Sequence, residues 1–170
     1  MSEESQPGAP AQPDQPAQPE PPAPPSFQIE KLYVKDLSLE VPGAPQVFMQ
    51  PDQPQLEIQV RNEALQFTEE LVEVVVTVTV TARSGDKTLF LAEAAQAGIF
   101  SARGIAPQDL EPLLAIACPT ILYPYVREAI SDLVTRAGFP PVVLAPVSFE
   151  QMYLQRQAEA AAEPRIEIAG

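Results

Sequence analysis

Residues 70–83 read ELVEVVVTVTVTAR, and residues 87–96 read KTLFLAEAAQ after the short connection Ser84-Gly85-Asp86. Valine occupies alternate positions from Val72 to Val80, so one face of a strand here is apolar along its length, while the opposite face mixes threonine, glutamate and valine. A glycine between two long extended stretches favours a tight turn. The two stretches therefore predict a long antiparallel β-hairpin.

Two further strands are predicted on the N-terminal side of this hairpin. Residues 27–40 alternate with a period of two and end at the Pro42-Gly43-Ala44-Pro45 run, which favours a turn. After a loop rich in Pro and Gln, the run 56–61 alternates again. The fourth strand, 87–96, is expected to end before Ala97-Gly98. The sequence thus predicts four antiparallel strands.

The pattern changes to a helical one after Gly104. Residues 107–110 and the Thr120-Ile121-Leu122 run resemble helix starts, and the main helix is expected at about 124–135. Arg136-Ala137-Gly138 is a typical helix end. A proline-rich extended stretch follows, and Ser148 with Gln151 predicts a capped final helix at about 149–162. The predicted fold class is α+β, a four-stranded antiparallel sheet followed by two helices.

Residues 1–26 form a separate compositional block. They hold nine of the 21 prolines, four acids and no base, and they contain no Val, Ile, Leu or Phe. Such a segment buries too little apolar surface to offset the entropy of ordering it. We therefore expect a disordered, acidic leader rich in Pro, Ala and Gln. It is either a docking motif or spacer, or an inert solubilising tail, which we favour.

The charge and the residue inventory exclude several classes of function. The chain has 10 basic against 23 acidic residues, a net charge of −13, no His and a single Cys among 170 residues. Without His, neither Ser-His-Asp catalysis nor a His-ligated metal site is available. The negative field argues against nucleic acid as a partner, and one thiol fits a reducing cytoplasm. We expect no cofactor and no metal.

Export or membrane insertion is not expected either. The N-terminus carries acids where a signal peptide needs positive charge. The longest uncharged apolar segment lies between Glu111 and Arg127 and contains three prolines, so it falls short of the ~20 residues that a spanning helix needs.

The candidate catalytic groups have simpler explanations. Glu69, Glu70 and Glu73 are best interpreted as the polar start of a strand face rather than as paired catalytic carboxylates. Cys118 stands beside Pro119 in an apolar segment and is best interpreted as a small buried hydrophobe rather than a nucleophile. We therefore expect a protein that is not an enzyme.

The predicted sheet carries apolar residues on much of both faces, which two modest helices do not cover. The remaining apolar surface and the long edge strand must meet another subunit or a ligand. Oligomerisation is the simpler explanation. The more specific hypothesis is that part of the apolar surface stays open to bind exchangeable apolar clients. The two hypotheses are compatible.

Several motifs, in order along the chain, resemble the bacterial protein-export chaperone SecB family. They are Phe27-Gln28-Ile29, the run from Tyr33 to Pro45, Gln96-Ala97-Gly98-Ile99-Phe100-Ser101, the run from Cys118 to Glu128, Gly138-Phe139-Pro140-Pro141, and the run from Leu144 to Phe149. The resemblance implies a SecB-like chaperone domain at 27–157 and a flexible C-terminal tail at 158–170. It also implies a cytosolic homotetramer, a dimer of dimers.

The resemblance further implies a function. Members of the family hold unfolded exported precursors in a translocation-competent state and deliver them to the SecA translocation ATPase, without hydrolysing nucleotide themselves. The positions that match the family's SecA-binding patch are Asp36, Glu40, Leu91 and Glu93. From the residues alone, a solvated polar strand face is the alternative interpretation of these four.

The resemblance also implies client-binding residues. The positions that match the family's apolar grooves are Leu56, Ile58 and Val60 on the second strand and Met152 and Tyr153 on the last helix. Ordinary core packing is the alternative for each of them. The alternative function for the whole chain is a SecB-like adaptor or structural oligomer with one dedicated client, such as a toxin–antitoxin component.

Overall fold

The computed structural model describes residues 24–49 and 53–162. Four strands form one antiparallel sheet in the order β1-β4-β3-β2, so β1 and β2 are the edges. The strands span Ser26–Glu40 (β1), Gln55–Gln66 (β2), Leu71–Ser84 (β3) and Lys87–Arg103 (β4). A 3₁₀ turn, Gln46–Met49, lies in the connection that crosses from β1 to β2. The predicted four-stranded antiparallel sheet is confirmed.

The central hairpin is built as the valine pattern predicts. Strands β3 and β4 pair from Leu71↔Ser101 to Ser84↔Lys87, and Gly85-Asp86 makes the two-residue turn. Gly85 has a φ of 58°, a left-handed conformation that glycine adopts without steric cost. The turn residue and the strand pattern therefore specify the same hairpin.

Strand β4 does not end at Gly98, so the predicted end at 96 is wrong. Gly98 pairs with Val74 inside the sheet, and a Cβ atom there would lie 2.7 Å from the Phe100 ring and 3.1 Å from Leu122. The glycine serves close packing rather than chain reversal. Strand β2 also runs to Gln66, five residues beyond the predicted 61, because its pairing with β3 continues to Val72.

The two faces of the sheet have different neighbours. The face turned toward the helices, here called the helix face, carries the even-numbered residues of β3 and β4. Its buried even-numbered members on these strands are Val72, Val74, Val76, Val78, Val80, Ala82, Phe90, Ala92, Ala94 and Phe100, and Leu89, next to a register shift, belongs to the same buried cluster. The opposite face, here called the outer face, has a smaller buried cluster of Val75, Ala95 and Ala97, with Tyr33 packed against it. Most of the hydrophobic core therefore lies between the helix face and the helices.

One continuous helical stretch covers the helix face. It consists of α1 (Pro107–Pro112), a π-helical turn (Leu113–Ala117) and α2 (Cys118–Arg136). The predicted main helix at 124–135 therefore begins too late, because Pro124 lies inside α2. Proline has no backbone N–H, so the carbonyl of Thr120 lacks its usual helical hydrogen bond to residue 124. Thr120 and Pro124 are both exposed, so water can donate to that carbonyl instead. The buried α2 side chains Leu122, Val126, Ile130 and Val134 hold the helix on the sheet.

The end of α2 and the start of the last helix follow the predicted signals. Gly138, with a φ of 89°, closes α2 while the Phe139 N–H donates to the Val134 carbonyl at 3.3 Å. The extended stretch after it is held to α2 by the Tyr123 hydroxyl, which donates to the Ala145 carbonyl at 2.6 Å. Helix α3 spans Phe149–Ala162, and its Gln151 N–H donates to Ser148 Oγ at 3.2 Å. The predicted final helix and its cap are confirmed.

The observed fold is thus α+β, with the short α1 added to the two predicted helices. Residues 1–23 of the predicted leader lie outside the described residues. Helix α3 includes the first part of the predicted tail up to Ala162, and residues 163–170 lie outside the described residues. The division into leader, domain 27–157 and tail stays a prediction.

The helical stretch Pro107–Arg136 is long and apolar enough, by length and composition, to cross a membrane. The sequence prediction that no segment reaches this length is wrong, because the helix continues through its prolines. Core helices of soluble proteins share these properties, and α2 buries Cys118, Leu122, Val126, Ile130 and Val134 against the sheet.

Candidate functional site

The four residues predicted to bind SecA lie together on the outer face. Asp36 pairs with Ala95, Glu40 pairs with Leu91, and Ser38 pairs with Glu93 across the β1–β4 ladder. Asp36 and Glu40 are therefore the two diagonal neighbours of Glu93, at the ~7–8 Å spacing of such positions. We call Asp36, Glu40, Leu91 and Glu93 the acidic patch. The structure confirms that they share one surface and leaves their partner untested.

The carboxylates of the acidic patch differ in their contacts. Asp36 and Glu40 are exposed, and neither forms an ion pair within residues 24–49 and 53–162. Glu93 is half-buried and accepts a hydrogen bond of 2.6 Å from the Thr79 hydroxyl of β3. Arg61 of β2 approaches the same carboxylate oxygen, with Nη2 at 3.8 Å from Oε2. Two of the three carboxylates are thus open to solvent, and the third is held by the sheet.

A separate polar cluster occupies the outer face nearer the other end of the sheet. Glu73 of β3 accepts hydrogen bonds from the Tyr33 hydroxyl and from Lys35 Nζ, the latter at 2.6 Å. The hydrogen bond from Lys35, and then the one from Tyr33, lowers the pKa of Glu73 below its ordinary value of 4.5. The hydrogen bond to Glu73, and then burial, raises the pKa of Tyr33 to about 12. This carboxylate is neutralised within the fold, unlike Asp36 and Glu40.

Three predicted client-binding residues line the helix face of β2. Leu56, Ile58 and Val60 pair with Ala82, Val80 and Val78, respectively, and all six residues point to the helix side. Leu56 is 45% exposed and Ile58 is 44% exposed, whereas Val60 packs partly against the core. An edge strand with large apolar side chains left open on the helix face is therefore present, and the binding of clients to it stays a prediction.

The two predicted residues of α3 have different environments. Met152 packs against the hydrophobic core. Tyr153 lines a cavity of about 410 Å³ between α3, the π-helical turn and the C-terminal half of β2. Burial, and then the neighbouring Glu111, raises the pKa of the Tyr153 hydroxyl. Helix α3 is tied to the same part of β2 by Arg156 Nη2, which donates to Asn62 Oδ1 at 3.2 Å. The five predicted client residues therefore do not form one surface, because Leu56 and Tyr153 line separate cavities and Met152 packs against the core.

An aromatic groove at the start of β2 contains residues that the sequence analysis did not select. Phe139 packs between Phe48 and Phe90, with ring centroids 5.2 Å and 4.9 Å apart, respectively. Together with Leu56 and the Pro140-Pro141 pair, these rings line a cavity of about 390 Å³. Phe48 is 49% exposed. We call this cavity the aromatic groove; it lies beside the predicted client residue Leu56.

The comparison with known protein families gives the decisive observation. The profile of the family described as "Preprotein translocase subunit SecB" matches residues 20–160. The chain belongs to the SecB family. The "Protein-export protein SecB" of Chromobacterium violaceum is 55% identical over 136 residues, which cover 80% of this chain and 91% of that protein. The protein of the same name from Dechloromonas aromatica is 56% identical over 138 residues, covering 81% and 91%.

A solved structure supports the fold of this SecB protein. It is a SecB-like chaperone of Mycobacterium tuberculosis in complex with a ChAD peptide from an antitoxin. The TM-score is 0.56 at 23% sequence identity, and the match covers 72% of this chain and 91% of that chain. At this identity, the similarity concerns the arrangement of the strands and helices.

Two further candidate chemistries of the chain, a reactive thiol and a metal site, are addressed by the structure. Cys118 is buried at the start of α2, and burial raises the pKa of its thiol to about 12, so the thiolate needed for nucleophilic attack is scarce at neutral pH. The interpretation of Cys118 as a small buried hydrophobe is confirmed. Within the described ranges, no group of three or more His, Cys, Asp or Glu side chains is arranged to hold a metal ion.

Proposed function

We propose that this SecB protein is an ATP-independent chaperone that holds unfolded exported precursors and delivers them to the SecA translocation ATPase. The observation that carries the proposal is the division of the sheet between two open surfaces. Apolar residues of β2 and the aromatic groove stay open on the helix face, while the acidic patch stays open on the outer face. One molecule can thereby contact a client and a basic partner on opposite sides.

The helix face of β2 has the chemistry that an unfolded client requires. The aromatic rings of Phe48, Phe90 and Phe139 offer flat apolar surface next to the exposed Leu56 and Ile58. Such a surface gains affinity from the apolar area removed from water and reads no particular sequence. It therefore suits apolar segments of many different chains, which a holdase must accept.

The outer face has the chemistry that a basic protein surface requires. Asp36 and Glu40 each lie two residue positions from the cross-strand partner of Glu93, and Leu91 adds an apolar contact beside them. Exposed carboxylates attract a basic partner through Coulomb interactions that salt screens. The affinity for SecA should therefore fall as ionic strength rises, whereas the affinity for an apolar client should change far less.

We further propose that the protein assembles as a homotetramer, a dimer of dimers, in the cytoplasm. Strand β1 is a 15-residue edge, and its Ile29, Val34 and Leu37 are each about half exposed. A long edge strand with exposed apolar side chains is a ready site for pairing with another chain. The free thiol of Cys118 is compatible with a reducing compartment. Native mass spectrometry tests the assembly, and a mass of one chain would contradict it.

The proposed function is tested by the aggregation of an unfolded precursor. The protein should suppress it at stoichiometric ratios without nucleotide, and Leu56→Ser with Ile58→Ser should abolish most of the suppression. Leu65→Ser is the matched control, because Leu65 is an exposed leucine of the same strand that points to the outer face. Equal loss in the control, or no suppression by the unchanged protein, would contradict the proposal.

The range of clients separates this function from its alternative. Affinity capture from a cell extract should recover many exported precursors. Recovery of one dominant partner would instead support an adaptor with a dedicated client.

A further inference from the structure

Glu93 is the one carboxylate of the acidic patch that the sheet itself contacts. Thr79, its direct cross-strand partner on β3, donates a hydrogen bond of 2.6 Å to Oε2. Arg61 Nη2 lies 3.8 Å from the same oxygen. Both contacts fall on Oε2, so the second carboxylate oxygen accepts no hydrogen bond from the described residues. Glu93 is therefore oriented by one neighbour and partly neutralised by another.

Arg61 reaches Glu93 from a distant strand. It lies on β2 opposite Thr77, and β3 separates β2 from β4 in the sheet. The small side chains of Thr77 and Thr79 leave room on the outer face for the guanidinium to lie across β3. The Arg61 side chain is 69% exposed and that of Glu93 is 31% exposed, so a partner's cation can displace the guanidinium. The ion pair is thus an internal competitor at the acidic patch.

We propose that Arg61 screens Glu93 and that Thr79 positions it, so that these two residues together set the affinity of the acidic patch for SecA. The inference rests on the proposed function, because it concerns the same surface. A cation of SecA that binds Glu93 meets a carboxylate that Arg61 already neutralises in part, and the positive charge of Arg61 also repels it. A chaperone that has to release its partner after transfer benefits from such a limit on affinity.

The test compares two arginine variants of the full chain. Arg61→Gln should bind SecA about twofold to fivefold more tightly at low salt, the range that an exposed ion pair covers. Arg103→Gln is the matched control. It makes the same change in net charge and breaks a comparable exposed ion pair, Arg103 with Glu70 at 2.7 Å, at the opposite end of β4. If both variants bind SecA more tightly by the same factor, the gain in affinity comes from the change in net charge alone, and the screening role of Arg61 is wrong.

Thr79 is tested as a positioning residue by removing its hydroxyl. Thr79→Val keeps a β-branched side chain but leaves Glu93 without its hydrogen bond, so SecA affinity should fall about twofold to fivefold. Thr79→Ser should restore it, because the serine hydroxyl can donate to the same oxygen. The affinity for an unfolded precursor should be equal in all three forms. Failure of serine to rescue, or a parallel loss of precursor binding, would overturn the positioning role.

Glu93→Gln separates this inference from the proposed function. If Glu93→Gln weakens SecA binding while Arg61→Gln leaves it unchanged, the screening role is wrong and the acidic patch stands. If the unchanged protein does not bind SecA although it binds an unfolded precursor, the proposed SecA contact is wrong and this inference falls with it.

Discussion

The helix face and the outer face of the sheet use the same strands in different ways. On the helix face, the even-numbered positions of β3 from Val72 to Val80 are valines with at most 1% exposure, and they belong to one buried cluster with Phe100 and with Leu122 of α2. On the outer face, the odd-numbered positions of β3 and β4 include Thr77, Ala95 and Ala97, and charged side chains lie around them. The first face stabilises the fold, while the second leaves polar groups available to partners.

The largest effect is expected in the core under the helix face. Ile130→Ala removes a fully buried α2 side chain and should lower the free energy of unfolding by about 2–5 kcal/mol. Ile29→Ala, at a position that is 47% exposed on β1, should have a much smaller effect. Chemical denaturation of both variants makes the comparison. Equal losses would mean that an assembled β1 edge contributes as much stability as the core.

A smaller loss of stability is expected at Gly98, where the packing on the helix face leaves no room for a side chain. Gly98→Ala places a Cβ atom 2.7 Å from the Phe100 ring, which is itself buried and stacked on Phe27. Overpacking of this kind should lower the free energy of unfolding by about 1–3 kcal/mol.

Gly43→Ala is the control for this substitution, because its nearest neighbour, Val47 Cβ, would lie 3.7 Å from the new Cβ. The control should change the melting temperature little. A Gly98→Ala protein as stable as the unchanged one would show that the ring moves aside freely.

The smallest effect is expected on the outer face, and it depends on pH. The pKa of Glu73 is lowered in the folded protein by the hydrogen bonds from Lys35 and Tyr33, so its contribution to stability is present above the ordinary value of 4.5. That contribution is lost as the pH falls through the lowered pKa. The melting temperature should therefore drop more on acidification below about 4.5 in the unchanged protein than in Glu73→Gln.

Glu69→Gln is the control, because Glu69 is exposed and forms no ion pair among the described residues. It should follow the unchanged protein. Identical acid sensitivity in Glu73→Gln would show that the Tyr33–Glu73–Lys35 cluster adds nothing to stability.

The strands and their faces could be predicted from the sequence because the alternation of side chains along a strand is a local property. The alternation of Val72 to Val80 requires one apolar face, and Asp36 and Glu40, four residues apart, share a face in any strand. The periodicity therefore places Asp36 with Glu40, and Leu91 with Glu93, but only the resemblance to the family combined the two pairs into one patch before the pairing of β1 with β4 was known. The end of β4 could not be predicted, because the close packing that requires Gly98 involves Leu122 of α2, which is distant in sequence, as well as the nearby Phe100.

The aromatic groove could not be predicted for a similar reason. Phe48, Phe90 and Phe139 come from the β1–β2 connection, from β4 and from the segment after α2. No local sequence spacing relates these three residues. Only the tertiary structure brings the rings of Phe48 and Phe90 to centroid distances of 5.2 Å and 4.9 Å, respectively, from the ring of Phe139. The start of α2 was predicted too late because proline favours the first turn of a helix, whereas the buried side chains on both sides of Pro124 hold one continuous helix on the sheet.

The central claim, that the two faces bind different partners, is tested most directly by one double variant. Asp36→Ala with Glu93→Ala should weaken binding to SecA by about tenfold, as expected for the loss of two exposed charges. Its affinity for an unfolded precursor, measured by fluorescence anisotropy on the same preparation, should stay unchanged. Loss of both affinities together would contradict the account, because it would show that these carboxylates support the fold rather than address one partner.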